Sequence, residues 1–350
     1  MGVAGDRRDL DAVRRGLEQW LCLLRPGAGR IRVGPLSHPS EGLSSETILF
    51  EATSSIGTEA LVARLPPAGG GIFPTYDLEL QARLQAALPG LGIPTAAPVG
   101  YEEDPSFVGA PFLVMPNVPG RLLPDNPHFS RRGWLKDAGP DAQREVYVGF
   151  VETLAAIHRI DWDGGGLAFV ARPEGPGLRA ELAWWEGYVA WAGDEDPPAA
   201  LRSALEWCRV RLPDPEPPPS LIWGDVRLGN VIFGADLRPA AVLDWEMASV
   251  GPAEVDLGWF LAMREMATRP GGVELPGFLD RDGTVARYQE CLGRPVGDLG
   301  WYEAFALLRS TAILVRMQRL LVDQGQHDHW LVGFDPVPPR LLELTASARG

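Results

Sequence analysis

The most informative part of this sequence is "LIWGDVRLGNVIF" (residues 221–233), which places Asp225 and Asn230 five residues apart in a polar turn before an apolar run. A glycine on each side of this turn permits a tight backbone path. The apolar run (231–233) is separated by the turn-forming segment "GADLRP" from a second β-prone run, "AAVLDW" (240–245). Two such runs around a turn predict an antiparallel β-hairpin.

The predicted hairpin would gather oxygen-bearing side chains at one end. In an antiparallel pair, the residue that enters the first strand lies beside the residue that leaves the second. Asn230 would therefore lie near Asp244, with Asp225 in the loop at the same end. An amide carbonyl and a carboxylate are suitable ligands for Mg²⁺, and a second carboxylate can accept a proton from an attacking hydroxyl. The alternative is an ordinary polar turn, in which Asp and Asn are also common.

The longer pattern resembles a known family. An Asp-x-x-x-x-Asn motif, followed after a hairpin by another Asp, is similar to the catalytic loop of protein-kinase-like folds. The form "WGDVRLGNVIF…AAVLDWEMASVGPAEVDLGWF" (223–260) resembles the aminoglycoside phosphotransferase (APH) and choline-kinase family. Within that family it is most similar to the kinase-like domains associated with acyl-CoA dehydrogenases. The resemblance extends more loosely from about residue 30 to the C-terminal helices.

The resemblance implies an α+β, bilobal, protein-kinase-like fold. We expect a β-rich, nucleotide-binding lobe over residues 1–117, with an N-terminal helix at 8–24 and a second helix at 75–88. We expect a mainly helical lobe over residues 118–350, which carries the small catalytic hairpin, the metal site and the acceptor site. The hydrophobic periodicity agrees, since short β-prone runs dominate before residue 118 and helical patterns dominate after residue 140.

Five residues of the second lobe receive roles from the resemblance. Asp225 would be the catalytic base, and Asn230 and Asp244 would bind Mg²⁺. Asp256 would be a buried carboxylate that braces the catalytic loop. Trp223 stands where most relatives carry a histidine, and an indole can supply similar bulk and one hydrogen-bond donor.

Three further residues are candidates for a role in the same lobe. Arg227 is expected to stabilise the charge that develops on the transferred phosphate. Glu246 either contributes to a second metal ion or hydrogen-bonds a backbone group. His158, alone on an apolar helix, is expected to be a satisfied core residue.

The resemblance also implies an ATP site in the first lobe. Adenine would lie against residues 114–118, including Met115 and Asn117, chiefly through backbone groups. The Gly-Ser turn at 40–47 would cover the phosphates through donors on Gly42, Ser44 and Ser45, the alternative being an ordinary hairpin turn between two strands.

The cation that holds the phosphates must be an arginine. Lys136 is the only lysine in the chain, and it lies far from the expected strand. Arg64 occupies the expected position and can grip phosphate in a bidentate manner, although a surface arginine is the alternative. Its helix partner is expected to be Gln81 or the nearby Glu79.

The acceptor is less well defined. Trp184, Tyr188 and Trp191 share one helical face and could line an apolar acceptor site, although such a stripe is more often core. The acidic run at 194–196 would instead suit an amine. A small-molecule hydroxyl is expected as the substrate, with a hydroxy acid or hydroxyacyl metabolite preferred over an aminoglycoside. A nucleotide-binding pseudokinase or scaffold is the alternative from another class, favoured by Trp223 and Gln81.

Composition limits the partners and the compartment. The net charge of −14 argues against a general nucleic-acid-binding protein. No segment approaches the roughly 20 apolar residues of a membrane span, so no membrane partner is expected. Three widely spaced cysteines and an N-terminus without a signal-peptide pattern favour a cytoplasmic protein. The sequence does not predict the oligomeric state.

Overall fold

The computed structural model describes residues 8–39, 44–125, 128–194, 196–268 and 274–346. The chain divides into two compact units. Unit 1 holds the described residues of Met1–Ala87, Ala96–Asn117 and Arg316–Phe334, and unit 2 holds those of Leu88–Thr95, Val118–Val315 and Asp335–Gly350. One unit boundary coincides with the predicted change of lobe after residue 117, whereas residues 88–95 and 316–334 belong to the opposite unit from the one expected.

Unit 1 contains an antiparallel sheet with the strand order β1-β2-β3-β5-β4. Its strands are β1 (Arg32–Val33), β2 (Glu46–Ser54), β3 (Gly57–Leu65), β4 (Gly100–Glu102) and β5 (Phe112–Pro116). In β2 every second residue from Ile48 to Ala52 is buried, which is the alternation of a half-buried strand. Because β3 lies between β2 and β5, Arg64 of β3 is opposite Thr47 of β2 on one side and Leu113 of β5 on the other.

Helices α1 (Leu10–Leu24) and α2 (Leu78–Ala87) belong to the same unit. Helix α1 begins at Asp9, whose side chain accepts hydrogen bonds from two backbone N–H groups of the first turn. The apolar face of α1, including Leu17 and Trp20, shares a buried cluster with Phe50 and Phe112 of the sheet. The helix predicted at 8–24 is therefore present, and its amphipathic pattern exists because one face covers this sheet.

Unit 2 is mainly helical. Its helices are α3 (Trp134–Asp137), α4 (Pro140–His158), α5 (Leu178–Ala192), α6 (Ala199–Val210), α7 (Glu254–Thr268), α8 (Arg281–Leu292) and α10 (Pro339–Ala346). Helix α9 (Gly300–Asp323) belongs to unit 2 as far as Val315. Within the described residues, no helix has both the length and the apolar character needed to cross a bilayer.

Two small antiparallel strand pairs lie among these helices. Strand β7 (Val231–Phe233) pairs with β8 (Pro239–Val242), which confirms the predicted hairpin. Strand β6 (Pro219–Ile222) pairs with β9 (Ser249–Pro252), and this second pairing was not predicted. Local periodicity indicates that 219–222 is β-prone but not which distant segment it pairs with. The loop at 223–230 lies between β6 and β7, and the segment that contains Asp244 lies between β8 and β9.

Two helical glycines provide a test of the packing of α1. A Cβ atom built on Gly16 would lie 1.8 Å from the backbone oxygen of Phe107, whereas one built on Gly187 of α5 would meet nothing within 4 Å. Alanine in a helix interior is normally favoured over glycine by about 0.5–1 kcal/mol. We therefore expect Gly187→Ala to raise the free energy of unfolding by about that amount, and Gly16→Ala to lower it by about 1–3 kcal/mol.

Urea unfolding followed by tryptophan fluorescence measures both variants. Equal stabilisation by the two substitutions would contradict the close approach of α1 to the 107 backbone.

Candidate active site

The two strands of the hairpin bring Asn230 next to the segment that contains Asp244. Val231 is opposite Val242, and the next pair outward continues the ladder, since the Leu243 backbone N–H donates to the Asn230 carbonyl at 2.9 Å. Asp244 follows directly after this pair. The predicted geometry of the hairpin end is therefore present.

Asn230 is also tied to Asp225. Its side-chain Nδ2 donates to Asp225 Oδ2 at 2.7 Å and to the Asp225 backbone carbonyl at 3.1 Å. Because the nitrogen of the amide is engaged, the oxygen Oδ1 is the atom of Asn230 with which it could bind a cation. Asp225 keeps 18 % of its side chain exposed, so the carboxylate is enclosed but reachable.

Asp244 has an unusual backbone. Its φ is 60°, in the left-handed region that non-glycine residues seldom adopt, although Asp and Asn tolerate it best. Such backbone strain is common at functional sites. The carboxylate of Asp244 and the amide oxygen of Asn230 are hard oxygen donors, the type of ligand that Mg²⁺ prefers alongside phosphate and water, so the chemistry of these two residues fits Mg²⁺. Glu246 follows in the next turn and is half-buried.

The loop at 223–230 is held in place by hydrogen bonds to Asp256. This residue lies in the first turn of α7 and is fully buried. Its Oδ2 accepts the Trp223 backbone N–H at 2.7 Å, and its Oδ1 accepts the Gly224 N–H at 3.0 Å. His158 Nε2 lies 3.0 Å from Asp256 Oδ2, and His158 Nδ1 lies 2.6 Å from the Tyr288 hydroxyl. His158 is thus the satisfied core residue that was predicted.

Trp223 supports the loop in a second way. Its indole is 1 % exposed and packs near Phe150 and Trp245. Its Nε1 donates to the Leu243 carbonyl at 2.8 Å. The indole therefore links the loop that contains Asp225 to the segment before Asp244, using the bulk and the single donor that were expected of it.

Arg227 lies between two carboxylates. Its Nε donates to Asp225 Oδ2 at 2.9 Å, and its Nη1 donates to Asp125. Burial alone would lower the pKa of Arg227, but Asp225, Asp125 and Asp244 together raise it above its ordinary value. The charge of Arg227 is therefore permanent. Asp125 was not predicted, because its segment "LPDNP" (123–127) reads as a turn and only the folded chain brings it to the loop.

The pKa of the Asp225 carboxyl depends on its burial and on the groups around it. Burial is the largest influence and raises the pKa of its carboxyl, and the negative charge of Asp244 raises it further. Arg227 and the Asn230 amide lower it by stabilising the carboxylate. The net direction is upward, so Asp225 is a stronger proton acceptor than an ordinary surface aspartate.

Unit 1 brings together two of the residues predicted to bind phosphate. Arg64 donates to the Ser45 hydroxyl from Nε at 3.0 Å and from Nη2 at 2.6 Å. Gln81 in α2 is 3 % exposed, and its Oε1 has no hydrogen-bond partner among the described residues. Glu79 is exposed on the same helix. Of these two candidates for a partner of Arg64, Gln81 is the buried one.

Most of the other residues predicted to bind nucleotide lie in or next to the strands of unit 1. Met115 is buried in β5 opposite Val62. Asn117 follows β5, and its backbone N–H donates to the Ala60 carbonyl at 2.9 Å, so this N–H is already engaged within the unit. Ser44 is half-buried and lies two residues before β2. Gly42 lies outside the described residues.

One of the three aromatic residues predicted to share a face of α5 is a core residue. Tyr188 is 2 % exposed and packs against Trp184 and Trp191, with ring centroids 5.6 Å and 5.5 Å away. Trp184 and Trp191 are partly exposed, and the Arg172 guanidinium lies 4.2 Å from the Trp184 ring centroid. The structure thus places Tyr188 in the interior, where an acceptor would not reach it without rearrangement.

A second unpredicted residue is Arg309 of α9. It is 1 % exposed, and its Nη2 donates to the Gly224 carbonyl at 3.0 Å. The sequence signal was a lone arginine within the apolar run "FALLRSTAILV" (305–315). A charged residue on an apolar helix face must have a buried partner, and that partner cannot be identified from the sequence.

Comparison with known proteins gives the family. The pattern of the APH phosphotransferase enzyme family matches residues 36–292. Acyl-CoA dehydrogenase family member 11 from Gallus gallus is 28 % identical over 350 residues, covering 95 % of this chain and 42 % of that protein. The Homo sapiens protein of the same description is 31 % identical over 235 residues, covering 67 % of this chain and 28 % of that protein. The chain therefore spans less than half the length of these relatives.

Solved structures support the fold. A putative aminoglycoside phosphotransferase from Ralstonia eutropha matches with a TM-score of 0.69 and 24 % identity, covering 98 % of this chain and 100 % of the other. A thermostable mutant of aminoglycoside phosphotransferase APH(4)-Ia, in complex with ADP and hygromycin B, matches with a TM-score of 0.56 and 16 % identity, covering 96 % and 99 %. The predicted family and the predicted fold class are both confirmed. The chain belongs to the APH family of phosphotransferase enzymes and has the α+β, kinase-like fold of these neighbours.

Proposed function

We propose that this protein transfers the γ-phosphate of ATP to a hydroxyl group of a small molecule, in a reaction that requires Mg²⁺. One observation carries the proposal: the loop and the hairpin hold Asp225, Asn230 and the Asp244 segment together through the Asn230 contacts. A binding module or scaffold has no chemical need for all three residues. The membership of the chain in a phosphotransferase family supports the same reaction.

Asp225 is the residue that we assign as the base. Arg227 and Asn230 both donate to its Oδ2, so Oδ1 is the oxygen left to accept the proton of the acceptor hydroxyl. As that proton moves to Asp225, the acceptor oxygen forms a bond to the γ-phosphorus. The bond from the γ-phosphorus to the bridging oxygen breaks, and ADP leaves with the electron pair.

Asn230 and Asp244 would hold the metal ion. Bound Mg²⁺ would offset the negative charge of the phosphate oxygens, as it does in phosphoryl-transfer enzymes generally. Arg227, held beside Asp225 with a permanent charge, would supply positive charge near the transferred group. In unit 1, Arg64 and Ser45 are the residues that we assign to the phosphates of ATP, since Arg64 is charged at every accessible pH.

For the acceptor we propose a hydroxy acid or hydroxyacyl metabolite. The Gallus gallus and Homo sapiens relatives are described as acyl-CoA dehydrogenase family members. This description favours an acyl compound as the acceptor. The aminoglycoside complex of APH(4)-Ia favours an aminoglycoside as the second candidate. A panel of short and long 3-hydroxy acids, their CoA esters and aminoglycosides, assayed by acceptor-stimulated ADP release, distinguishes the two classes.

Asp225→Asn tests the base. The carboxamide keeps the size of the side chain but cannot accept a proton, so kcat for ADP release should fall by about 10²–10⁴-fold. The affinity for Mg·ATP should change by less than about threefold, because the base is not a metal ligand in this proposal. The matched control is Asp236→Asn, which makes the same change at an exposed position in the β7–β8 turn. An unchanged kcat in Asp225→Asn would remove Asp225 from the mechanism.

Asp244→Asn tests the metal site. Asparagine tolerates the left-handed backbone of this position but lacks the charge, and the number of charged ligands sets divalent-cation affinity. We expect titration calorimetry to show ATP binding to the wild type that depends on Mg²⁺, and at least about tenfold weaker binding to Asp244→Asn (~1.4 kcal/mol). Equal Mg²⁺ dependence in both proteins, with Asp236→Asn again as control, would exclude Asp244 as a ligand.

Arg64→Ala tests the phosphate site of unit 1. Loss of a charge-assisted hydrogen bond to phosphate costs about 1.5–3 kcal/mol, so the Kd for Mg·ATP should rise by about 10–100-fold. Arg15→Ala, on the exposed face of α1 in the same unit, is the control and should leave the Kd unchanged. ATP affinities that agree within twofold between Arg64→Ala and the wild type would show that Arg64 is only a sheet residue.

A further inference from the structure

Arg309 is an uncommon residue for the interior of a helical domain. Its side chain is buried, and burial lowers the pKa of its guanidinium to about 10. A buried arginine is costly unless it is paired and hydrogen-bonded, and a leucine or methionine would fill the same volume without that cost. The position therefore has a requirement that an apolar side chain does not meet.

The contacts of Arg309 come from three elements of unit 2. The guanidinium carbon lies 4.8 Å from the ring centroid of Trp185 in α5 and 4.6 Å from that of Trp259 in α7. These distances are those of cation–π contacts. Its Nε and Nη1 have no hydrogen-bond partner among the described residues. The hydrogen bond from Nη2 to the Gly224 carbonyl therefore links its guanidinium to the loop. The two rings fix the orientation of the guanidinium, and in this orientation Nη2 donates to the Gly224 carbonyl of the catalytic loop.

The peptide group that receives this donor leads into the proposed base. Gly224 has a φ of 96°, and a Cβ there would lie 2.5 Å from the Met247 backbone oxygen, so the loop passes close to the segment after Asp244. Asp256 holds the N–H groups of Trp223 and Gly224, and Arg309 holds the carbonyl of Gly224. Because a peptide group is planar, fixing that carbonyl also fixes the N–H of Asp225 and the direction in which its Cα leaves.

We propose that Arg309 is a positioning residue for Asp225: it orients the Gly224–Asp225 peptide so that the carboxylate meets the acceptor hydroxyl in a productive geometry. Arg309 touches neither nucleotide nor acceptor in this role. Helix α7 contributes to both restraints, since it carries Asp256 and Trp259. Helices α7 and α9, which carry Trp259 and Arg309, approach closely at Gly258, where a Cβ would lie 2.6 Å from Tyr302. This inference rests on the proposed function of Asp225.

Two substitutions separate positioning from packing. Arg309→Lys keeps a positive charge and a donor for the Gly224 carbonyl, whereas Arg309→Met keeps comparable bulk without either. A misplacement of a catalytic group by about 1 Å can cost about 10²-fold in rate. We expect kcat for ADP release to fall about 100-fold in Arg309→Met and less than about tenfold in Arg309→Lys. The KM for Mg·ATP should stay within about twofold in both, because neither variant changes a nucleotide ligand.

Arg264→Met is the matched control. Arg264 is another poorly exposed arginine of unit 2, bonded to the hydroxyls of Tyr147 and Thr284, which the mechanism does not use. The Arg264→Met substitution should lower the free energy of unfolding without lowering kcat. Equal losses of kcat in Arg309→Lys and Arg309→Met would overturn the proposal, because only packing would then matter. A kcat in Arg309→Met as high as in Arg264→Met would also overturn it.

A second measurement does not require turnover. Hydrogen–deuterium exchange of the peptide that covers residues 221–230 should be about tenfold faster in Arg309→Met than in the wild type, as expected when one buried hydrogen bond is lost. It should be unchanged in Arg264→Met. If the wild type does not turn over ATP with any acceptor, the proposed function fails. The exchange data then test only whether Arg309 restrains the loop. Equal exchange in all three proteins would show that it does not.

Discussion

The contact on which the loop at 223–230 depends is that of the buried Asp256 carboxylate with two successive backbone N–H groups, those of Trp223 and Gly224. A buried charge without partners would be strongly destabilising. Here two backbone donors and His158 stabilise it, and Tyr288 in turn fixes the other side of the imidazole. The loop thus cannot leave its place without leaving a buried carboxylate short of donors. This restraint lets a short polar turn hold Asp225, the proposed base, and Asn230, the proposed metal ligand, in a fixed relation.

The local parts of this arrangement could be predicted from the sequence. The hairpin follows from two apolar β-prone runs around a turn, and the position of Asn230 beside the Asp244 segment follows from antiparallel pairing. His158 could be assigned to the core because a single imidazole on an apolar helix face needs only a buried partner. The family resemblance added roles for Asp225 and Asp256. The observed contacts of Asp256 with the loop are those expected of a brace, and the experiments proposed above test the roles assigned to Asp225 and Asp244.

The parts that were missed depend on contacts between distant segments. Strand β6 pairs with β9 across the whole hairpin, and neither strand carries a pattern that identifies the other. Asp125 reaches Arg227 from a segment that precedes the loop by about a hundred residues, and Arg309 reaches Gly224 from a helix that follows it by 85 residues. Charge and hydropathy show that such residues are unusual where they stand. Only the tertiary structure shows the group that each one contacts.

The left-handed backbone of Asp244 has a consequence for how activity could be lost over evolutionary time. A non-glycine residue in this conformation carries roughly 1–2 kcal/mol of strain, and glycine would relieve it. A copy of this protein released from selection for catalysis would gain stability by replacing the proposed metal ligand with glycine. Decay towards an inactive binding protein would then begin with a stabilising step. A relative that combines glycine at this position with high thermal stability would then be a protein that has lost the activity, and not a precursor that never had it.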